Sequence, residues 1–310
     1  MTVIRARALG FCMGVRRAVD LASAEAEASA SAEAEASASA EAEASAYGEK
    51  QPPVYTLGPL VHNPHALNEL RRRGVETLNE EDLPADLRGA TVIIRAHGVS
   101  PQTEAELRRR GARVVDATCP RVKSSQLKAA AFAQSGYRLF LAGEEHHAEI
   151  TGIRRYYENN ALSCAVVGNA AEAEKAAALF PSGAKTALIG QTTISEEEYR
   201  DIGAVIARYF PDLEIAQTIC AATKERQDSL REIADKVDAI IIAGGKDSAN
   251  TRRLLAIAET AGKPCALVET PADIPPDFFK FKVIGLASGA STPDALIDDI
   301  ERAMINLSYL

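Results

Sequence analysis

The chain has 310 residues, 43 of them acidic and 35 basic, for a net charge of −8. It holds five cysteines and no tryptophan, and its aromatic content is 5%, so the core must be built mainly from Ala, Val, Ile and Leu. No apolar run reaches the roughly 18 residues of a membrane span, and the weak acidic charge excludes the basic footprint that nucleic acid requires.

Residues 1–7 read as a first strand and lack the long apolar segment of a secretory signal, so a cytoplasmic protein is expected. Cysteines in that compartment stay reduced, which argues against a disulfide framework. Residues 23–46 are three identical copies of SAEAEASA, with six glutamates and no basic residue; the rest of the chain carries only −2. Ala and Glu favour helix, and the segment continues a helical pattern at residues 15–22. A fraying helical extension with no apolar stripe to dock is expected, stopped at Tyr47-Gly48, with disorder as the rival.

Beyond the repeat, β-branched runs alternate with amphipathic stretches. The runs are Val54–Leu57, 91–95, Arg113–Asp116, 137–142, 165–167, 186–189, Ala239–Ala243, Cys265–Val268 and 282–286. Such alternation implies βαβ units and parallel sheets. Leu70-Arg-Arg-Arg-Gly74-Val75 and Leu107-Arg-Arg-Arg-Gly111-Ala112 each read as a helix end, a glycine cap and the next strand. Their arginine triplets read as solvated last turns that complement the helix dipole.

Three cysteines divide the chain evenly. Cys12 to Cys119 spans 107 positions, or 83 without the 24-residue repeat; Cys119 to Cys220 spans 101, and 90 remain after Cys220. Three α/β domains are expected, at 13–118, 119–215 and 216–310, the last joined by the N-terminal strand 1–12. In open parallel sheets, ligands lie beyond the carboxyl ends of strands. The loops after the runs carry His62, His97, Cys119, His147, Glu149, Thr192, Ser248, Asn250 and Ser291. Thr192 and Ser291 are expected where helices begin, as caps or as holders of phosphate oxygens.

Cys12, Cys119 and Cys220 sit in polar or glycine-rich turns, whereas Cys164 and Cys265 lie in or beside apolar runs and read as inert buried residues. Three thiolates can hold an iron–sulfur cluster with one iron open to substrate, or zinc with a fourth ligand, and the spacing contains no CxxC pair to choose between them. His62, His97 and His147 occupy three different strand-end loops; His65 and His146 read as peripheral. The three could bind zinc, relay protons or neutralise a phosphate, and the accompanying Ser248, Asn250 and Ser291 suit anionic oxygens better than metal. A buried Glu149 near an anion would have a raised pKa and could act as an acid, against the plainer reading of a helix-start glutamate. Gly244-Gly245-Lys246 lacks the spacing of a phosphate loop, and no G-x-G-x-x-G follows a strand.

Nine stretches in order resemble the LytB family of hydroxymethylbutenyl diphosphate reductases: residues 10–18 (GFCMGVRRA), 61–64 (VHNP), 96–99 (AHGV), 116–120 (DATCP), 147–149 (HAE), 191–193 (QTT), 218–220 (TIC), 248–250 (SAN) and 289–291 (GAS). The resemblance implies an α/β fold of three similar domains with mainly parallel sheets, a pseudo-threefold cloverleaf around a central cluster-containing cavity. It implies one 4Fe-4S cluster on Cys12, Cys119 and Cys220, degrading to a 3Fe-4S form in air, whose open iron meets the substrate hydroxyl. His62, His97, His147, Ser248, Asn250 and Ser291 carry over as diphosphate ligands, and Thr192 and Glu149 as the substrate-hydroxyl-orienting and proton-delivering pair. The implied reaction is two-electron reductive dehydroxylation to isopentenyl and dimethylallyl diphosphate, the last step of the non-mevalonate isoprenoid pathway, with electrons from a donor such as ferredoxin or flavodoxin. The chain departs from the family pattern at the SAEAEASA insertion, at Ala148, where Pro is usual, and at Ala249, where a second Ser is common. The alternatives are a non-redox iron–sulfur hydro-lyase and a non-catalytic protein that binds a cluster or zinc.

Overall fold

The structure is a computed structural model and describes residues 1–40, 52–158 and 164–307. Strand β1 (Thr2–Arg5) and the long helix α1 (Met13–Ala40) open the chain. They are followed by β2 (Val54–Leu57), α2 (Pro64–Arg72), β3 (Val75–Leu78), β4 (Thr91–Ile94), α3 (Pro101–Arg109) and β5 (Arg113–Asp116). Next come α4 (Pro120–Gln134), β6 (Arg138–Ala142), α5 (Ala148–Glu158), β7 (Cys164–Val167), α6 (Ala170–Ala177), β8 (Thr186–Gly190), α7 (Glu196–Tyr209) and β9 (Glu214–Ile215). The last elements are α8 (Ala221–Ala234), β10 (Ala239–Ala243), α9 (Ala249–Thr260), β11 (Cys265–Val268), β12 (Val283–Ser288) and α10 (Asp294–Leu307). All nine apolar runs and the N-terminal strand are present, with ends shifted by a residue or two; β9, two exposed residues long, is too short to give an apolar run.

The strands form three four-stranded sheets, β3-β2-β4-β5, β7-β6-β8-β9 and β11-β10-β12-β1, and every pairing is parallel. The three orders are the same topology. In each sheet the first strand lies second, its successors flank it, and a fourth strand closes one edge. In the third sheet that fourth strand is β1, paired with β12 from Thr2 opposite Val283 to Arg5 opposite Leu286.

Parallel strands covered on both faces read as continuous apolar runs, because alternate side chains enter two different cores. In β10, Ile241 and Ala243 pack with α10, whereas Ile240 and Ile242 pack with α8 and α9. In β6, Phe140 and Ala142 face α6 and α7, and Leu139 and Leu141 face α4 and α5. In the first sheet, Leu57, Val92 and Ile94 bury against Leu107 of α3. Gly74 and Gly111 adopt φ of +85° and +93° after α2 and α3, the left-handed conformation that ends a helix without a Cβ clash. The chain divides into two compact units. The smaller comprises Met13–Val61 and His65–Cys119 and holds the first sheet; the larger comprises Met1–Cys12, His62–Pro64 and Pro120–Leu310 and holds the other two.

Two expectations are corrected. The repeat was expected to offer no docking stripe, yet Ala22, Ala26 and Ser29 are buried at successive turns of α1, and Ser29 Oγ donates to Pro52 O at 2.8 Å. Side chains this small let the helix backbone approach β2 closely, so a broad apolar face is unnecessary. Glu25 and Glu27 pair with Arg113 and Arg73. Residues 41–46 of the third copy and the stop at Tyr47-Gly48 lie outside the described residues. The second correction concerns Thr192 and Ser291, neither of which caps a helix. α7 starts four residues after Thr192, with Ser195 and Glu198 forming its capping box, and α10 starts three residues after Ser291. Among the described residues, no helix is long and apolar enough to cross a membrane.

Candidate active site

The shared topology sorts the candidate residues by loop. Loops after the first strand of each sheet carry His62 (β2), His147 and Glu149 (β6), and Ser248 and Asn250 (β10). Loops after the third strand carry His97 (β4), Thr192 (β8) and Ser291 (β12). The first and third strands are adjacent and their connections diverge, which makes their carboxyl ends the switch point where such sheets bind ligands. The loops after the fourth strands carry Cys119 (β5), Cys220 (β9) and Cys12 (β1), and each cysteine immediately precedes a helix. A cysteine there lies next to the positive end of the helix.

In the larger unit, β6 and β8 run side by side and bring Glu149 against Thr192. Glu149 is 1% exposed; Oε1 accepts from Thr192 N at 2.7 Å and Oε2 from Thr192 Oγ1 at 2.8 Å. Burial pushes this carboxyl up to about 7, against the lowering pull of the two hydrogen bonds and of the Arg253 charge. Glu149 is therefore both a first-turn residue of α5 and a buried acid. His147 Nδ1 accepts from Glu149 N at 3.2 Å, which leaves the proton of the neutral ring on Nε2. Burial, then His62 and the two arginines of α9, push His147 down to about 4, although Glu144 pulls the other way, so the ring is neutral near pH 7. The His62 and His147 ring centroids lie 5.8 Å apart.

His62 belongs to the larger unit. Its carbonyl accepts from Ser291 Oγ at 3.2 Å, and a Cβ on Gly245 would come within 2.4 Å of that oxygen, so glycine is required there. Ser248 caps α9, its Oγ accepting from Thr251 N at 3.3 Å. Asn250 in the first turn of that helix is 4% exposed, and neither atom of its carboxamide has a hydrogen-bond partner. A buried, unsatisfied amide is costly unless a ligand completes it. His65 and His146 are exposed, in keeping with a peripheral position.

Three residues not singled out from the sequence organise this site. Gln191 accepts from Glu144 N at 2.9 Å and donates to Thr193 Oγ1 at 2.9 Å, tying the β6 and β8 loops together. Arg253 of α9 donates to Glu144 at 3.1 Å, linking the third sheet to the second. Arg226 of α8 is 5% exposed and donates to Gly10 O at 2.6 Å and Ala222 O at 3.1 Å. The signal was present for two of them: Asn250 and Arg253 share a helix face at i, i+3, and Arg226 lies at core spacing from Thr223 and Leu230.

In the smaller unit, Cys119 N donates to Ala96 O at 2.9 Å, joining the Cys119 turn to the loop that carries His97. Arg17 donates to Asp116 O and Thr118 O at 3.2 and 3.4 Å, and Thr118 N donates to Asp116 Oδ1 at 2.9 Å. A Cβ on Gly14 would sit 2.5 Å from Cys119 Sγ, so only glycine leaves room for that thiol.

The donor set suits an iron–sulfur cluster on one observation in particular. Arg226 Nε is buried without a hydrogen-bond partner, and among the described residues no carboxylate forms an ion pair with its guanidinium. The groups that act on its charge are the Cys12 and Cys220 sulfurs and the exposed Glu225. A buried cation whose charge is favoured by two cysteine sulfurs fits an anionic thiolate-ligated group. Cys164 and Cys265 are half-buried rather than fully buried, and burial raises both thiols, Cys164 to about 12, so both are protonated and unreactive.

The family described as LytB protein matches residues 3–305. A 4-hydroxy-3-methylbut-2-enyl diphosphate reductase of Treponema denticola is 39% identical over 98% of this chain and 99% of its own length. The enzyme of the same name from Treponema pallidum (strain Nichols) is 42% identical over 97% of this chain and 83% of its own. Among solved structures, (E)-4-hydroxy-3-methyl-but-2-enyl diphosphate reductase, described as the terminal enzyme of the non-mevalonate pathway, aligns with a TM-score of 0.66 and 34% identity over 99% of this chain and 100% of its own. The E-1-hydroxy-2-methyl-but-2-enyl-4-diphosphate reductase of Plasmodium falciparum aligns at 0.82 and 26% over 99% and 87%. Three sheets of one topology, a buried carboxyl at a switch point and a match over nearly the whole length lead to one assignment: the chain belongs to the LytB family.

Proposed function

We propose that this protein reduces (E)-4-hydroxy-3-methylbut-2-enyl diphosphate to isopentenyl and dimethylallyl diphosphate. The observation that carries this reading is the buried Glu149–Thr192 pair, a carboxyl poised near pH 7 beside a hydroxyl. Two electrons and two protons enter, the allylic C–O bond breaks, one proton leaves in water and the other ends on carbon. Cys12, Cys119 and Cys220 are the proposed ligands of a 4Fe-4S cluster, which when bound supplies the electrons and a Lewis-acid iron for the hydroxyl oxygen. The electron donor is a small redox protein of the ferredoxin or flavodoxin kind.

Glu149 in its protonated form delivers the proton that turns the leaving hydroxyl into water. Thr192 holds that carboxyl through both its N–H and its hydroxyl. When the carboxyl is protonated, the same hydroxyl can accept from it and turn its own hydrogen toward the substrate oxygen. The diphosphate is bound by His62, His97, His147, Ser248, Asn250 and Ser291. The neutral His147 offers an Nε2–H to a phosphate oxygen, and the unpaired Asn250 amide offers an N–H. Charge-assisted bonds of this kind are short and strong away from water. None of these residues is itself replaced by the departures at Ala148 and Ala249.

The test is consumption of the substrate by anaerobically reconstituted protein with a strong one-electron reductant, wild type against Glu149→Gln. Conversion to the two five-carbon diphosphates, lost in the variant, supports both the reaction and the acid. No conversion by protein with a complete cluster refutes the reaction, and a need for no reductant would favour a hydro-lyase.

A further inference from the structure

We propose that Arg226 is the fixed counter-charge of the cluster site, holding the reduction potential up from the Cys12–Cys220 side; this rests on the ligand set proposed above. Its guanidinium grips two backbone carbonyls that bracket the thiols, Gly10 O two residues before Cys12 and Ala222 O two residues after Cys220. The turn ahead of α1 and the first turn of α8 are thereby held to one rigid cation. Cys220 N also donates to Thr192 O at 3.0 Å, and Thr223 Oγ1 donates to the same oxygen at 3.1 Å, so this frame is continuous with the loop that holds Glu149.

Arg226 is 5% exposed, its Nε is unpartnered, and among the described residues it makes no ion pair. Burial disfavours its charge, and the two sulfurs favour it. A cation left so deep in the fold is stable only beside negative charge. Each electron added makes the cluster and its thiolates more negative, so a fixed positive charge nearby stabilises the reduced form and raises the potential. Arg226 touches neither substrate nor reacting atoms; it acts through the cluster and is a positioning residue.

Two substitutions separate charge from contact. Arg226→Met removes the charge and keeps the length; Arg226→Lys keeps the charge and loses the fork that reaches both carbonyls. The measurement is a redox titration of the reconstituted cluster followed by electron paramagnetic resonance, with iron and sulfide assayed in the same samples. In the Met variant the ratio of reduced to oxidised cluster at a fixed applied potential falls about tenfold, a midpoint shift of about 59 mV to the negative for a one-electron couple, while the Lys variant stays near wild type. A Met variant that cannot retain the cluster, beside a Lys variant that does, supports the same conclusion. Unchanged potentials in both, equal shifts in both, or loss of the cluster from both would overturn it, since contact rather than charge would then be responsible. Wild-type protein that takes up no iron would instead sink the ligand set.

Discussion

Replacing Glu149 by Gln preserves shape and removes an ionisation, so its effect on stability can be worked from the structure. The carboxyl is fully buried and titrates at about 7, against an ordinary value of 4.5. At about 1.4 kcal/mol per pH unit, ionising it in the fold costs about 3 kcal/mol more than ionising it in the unfolded chain. The sign follows from which state holds the proton. Below pH 4.5 both states are protonated and there is no difference. Between 4.5 and 7 the unfolded chain loses its proton first, so wild-type stability declines as pH rises, and above about 7 the loss is complete. The Gln variant has no such slope. It should unfold close to wild type near about pH 5 and be more stable by about 3 kcal/mol at about pH 8. Anaerobic urea unfolding of the paired proteins across that range reads the difference directly. A difference that stays constant with pH would refute the raised carboxyl. The same variant should lose about 10²–10⁴-fold in kcat, and wild-type kcat should fall as pH rises through about 7, because only the protonated carboxyl delivers a proton.

Other substitutions test neighbouring groups. Thr192→Val removes the hydroxyl bond that holds Glu149 down, so the alkaline limb of the kcat profile should move to higher pH while kcat falls; a limb that stays put contradicts the coupling. Asn250→Leu deletes an amide that satisfies nothing in the protein, so stability should hold or rise, by up to about 3 kcal/mol, while the diphosphate KM rises at least tenfold; an unchanged KM removes Asn250 from the binding set. Gly14→Ala drives a methyl into Cys119 Sγ, and iron bound per chain after anaerobic reconstitution should drop, with a stability loss of about 1–3 kcal/mol; full iron content would show that the thiol can shift.

Much of this was legible in the chain. Continuous apolar runs announced strands buried on both faces, and the residues just beyond them announced the loops at the carboxyl ends, because a parallel sheet places every carboxyl end on one side. Even the N-terminal strand was readable, although β1 pairs with β12 from the far end of the chain. The helix starts near Thr192 and Ser291 were misplaced because a serine or threonine after a strand looks the same whether it caps a helix or faces a ligand. Ser195 takes the capping role, and Glu198 three residues on was the sign that it would. The docking of the repeat was missed because hydrophobic patterning registers large side chains, and alanine and serine bury by closeness instead.

Arg226 escaped for another reason. Helix α8 buries Thr223, Arg226, Gln227 and Leu230 at i, i+3, i+4 and i+7, the spacing of a core stripe filled by polar residues. Patterning discounts such a stripe because its hydrophobicity is low, yet the spacing is itself informative. A helix that turns an arginine and a glutamine into the fold needs something polar or charged there to meet them. Here the carbonyl of Gly10 and the sulfurs of Cys12 and Cys220 answer for the arginine. Cysteines spaced a hundred residues apart carry little meaning alone. Set at equivalent fourth-strand loops of three like sheets, two of them beside one buried cation, they hold corresponding places in the fold, and that correspondence is what supports the proposed ligand set.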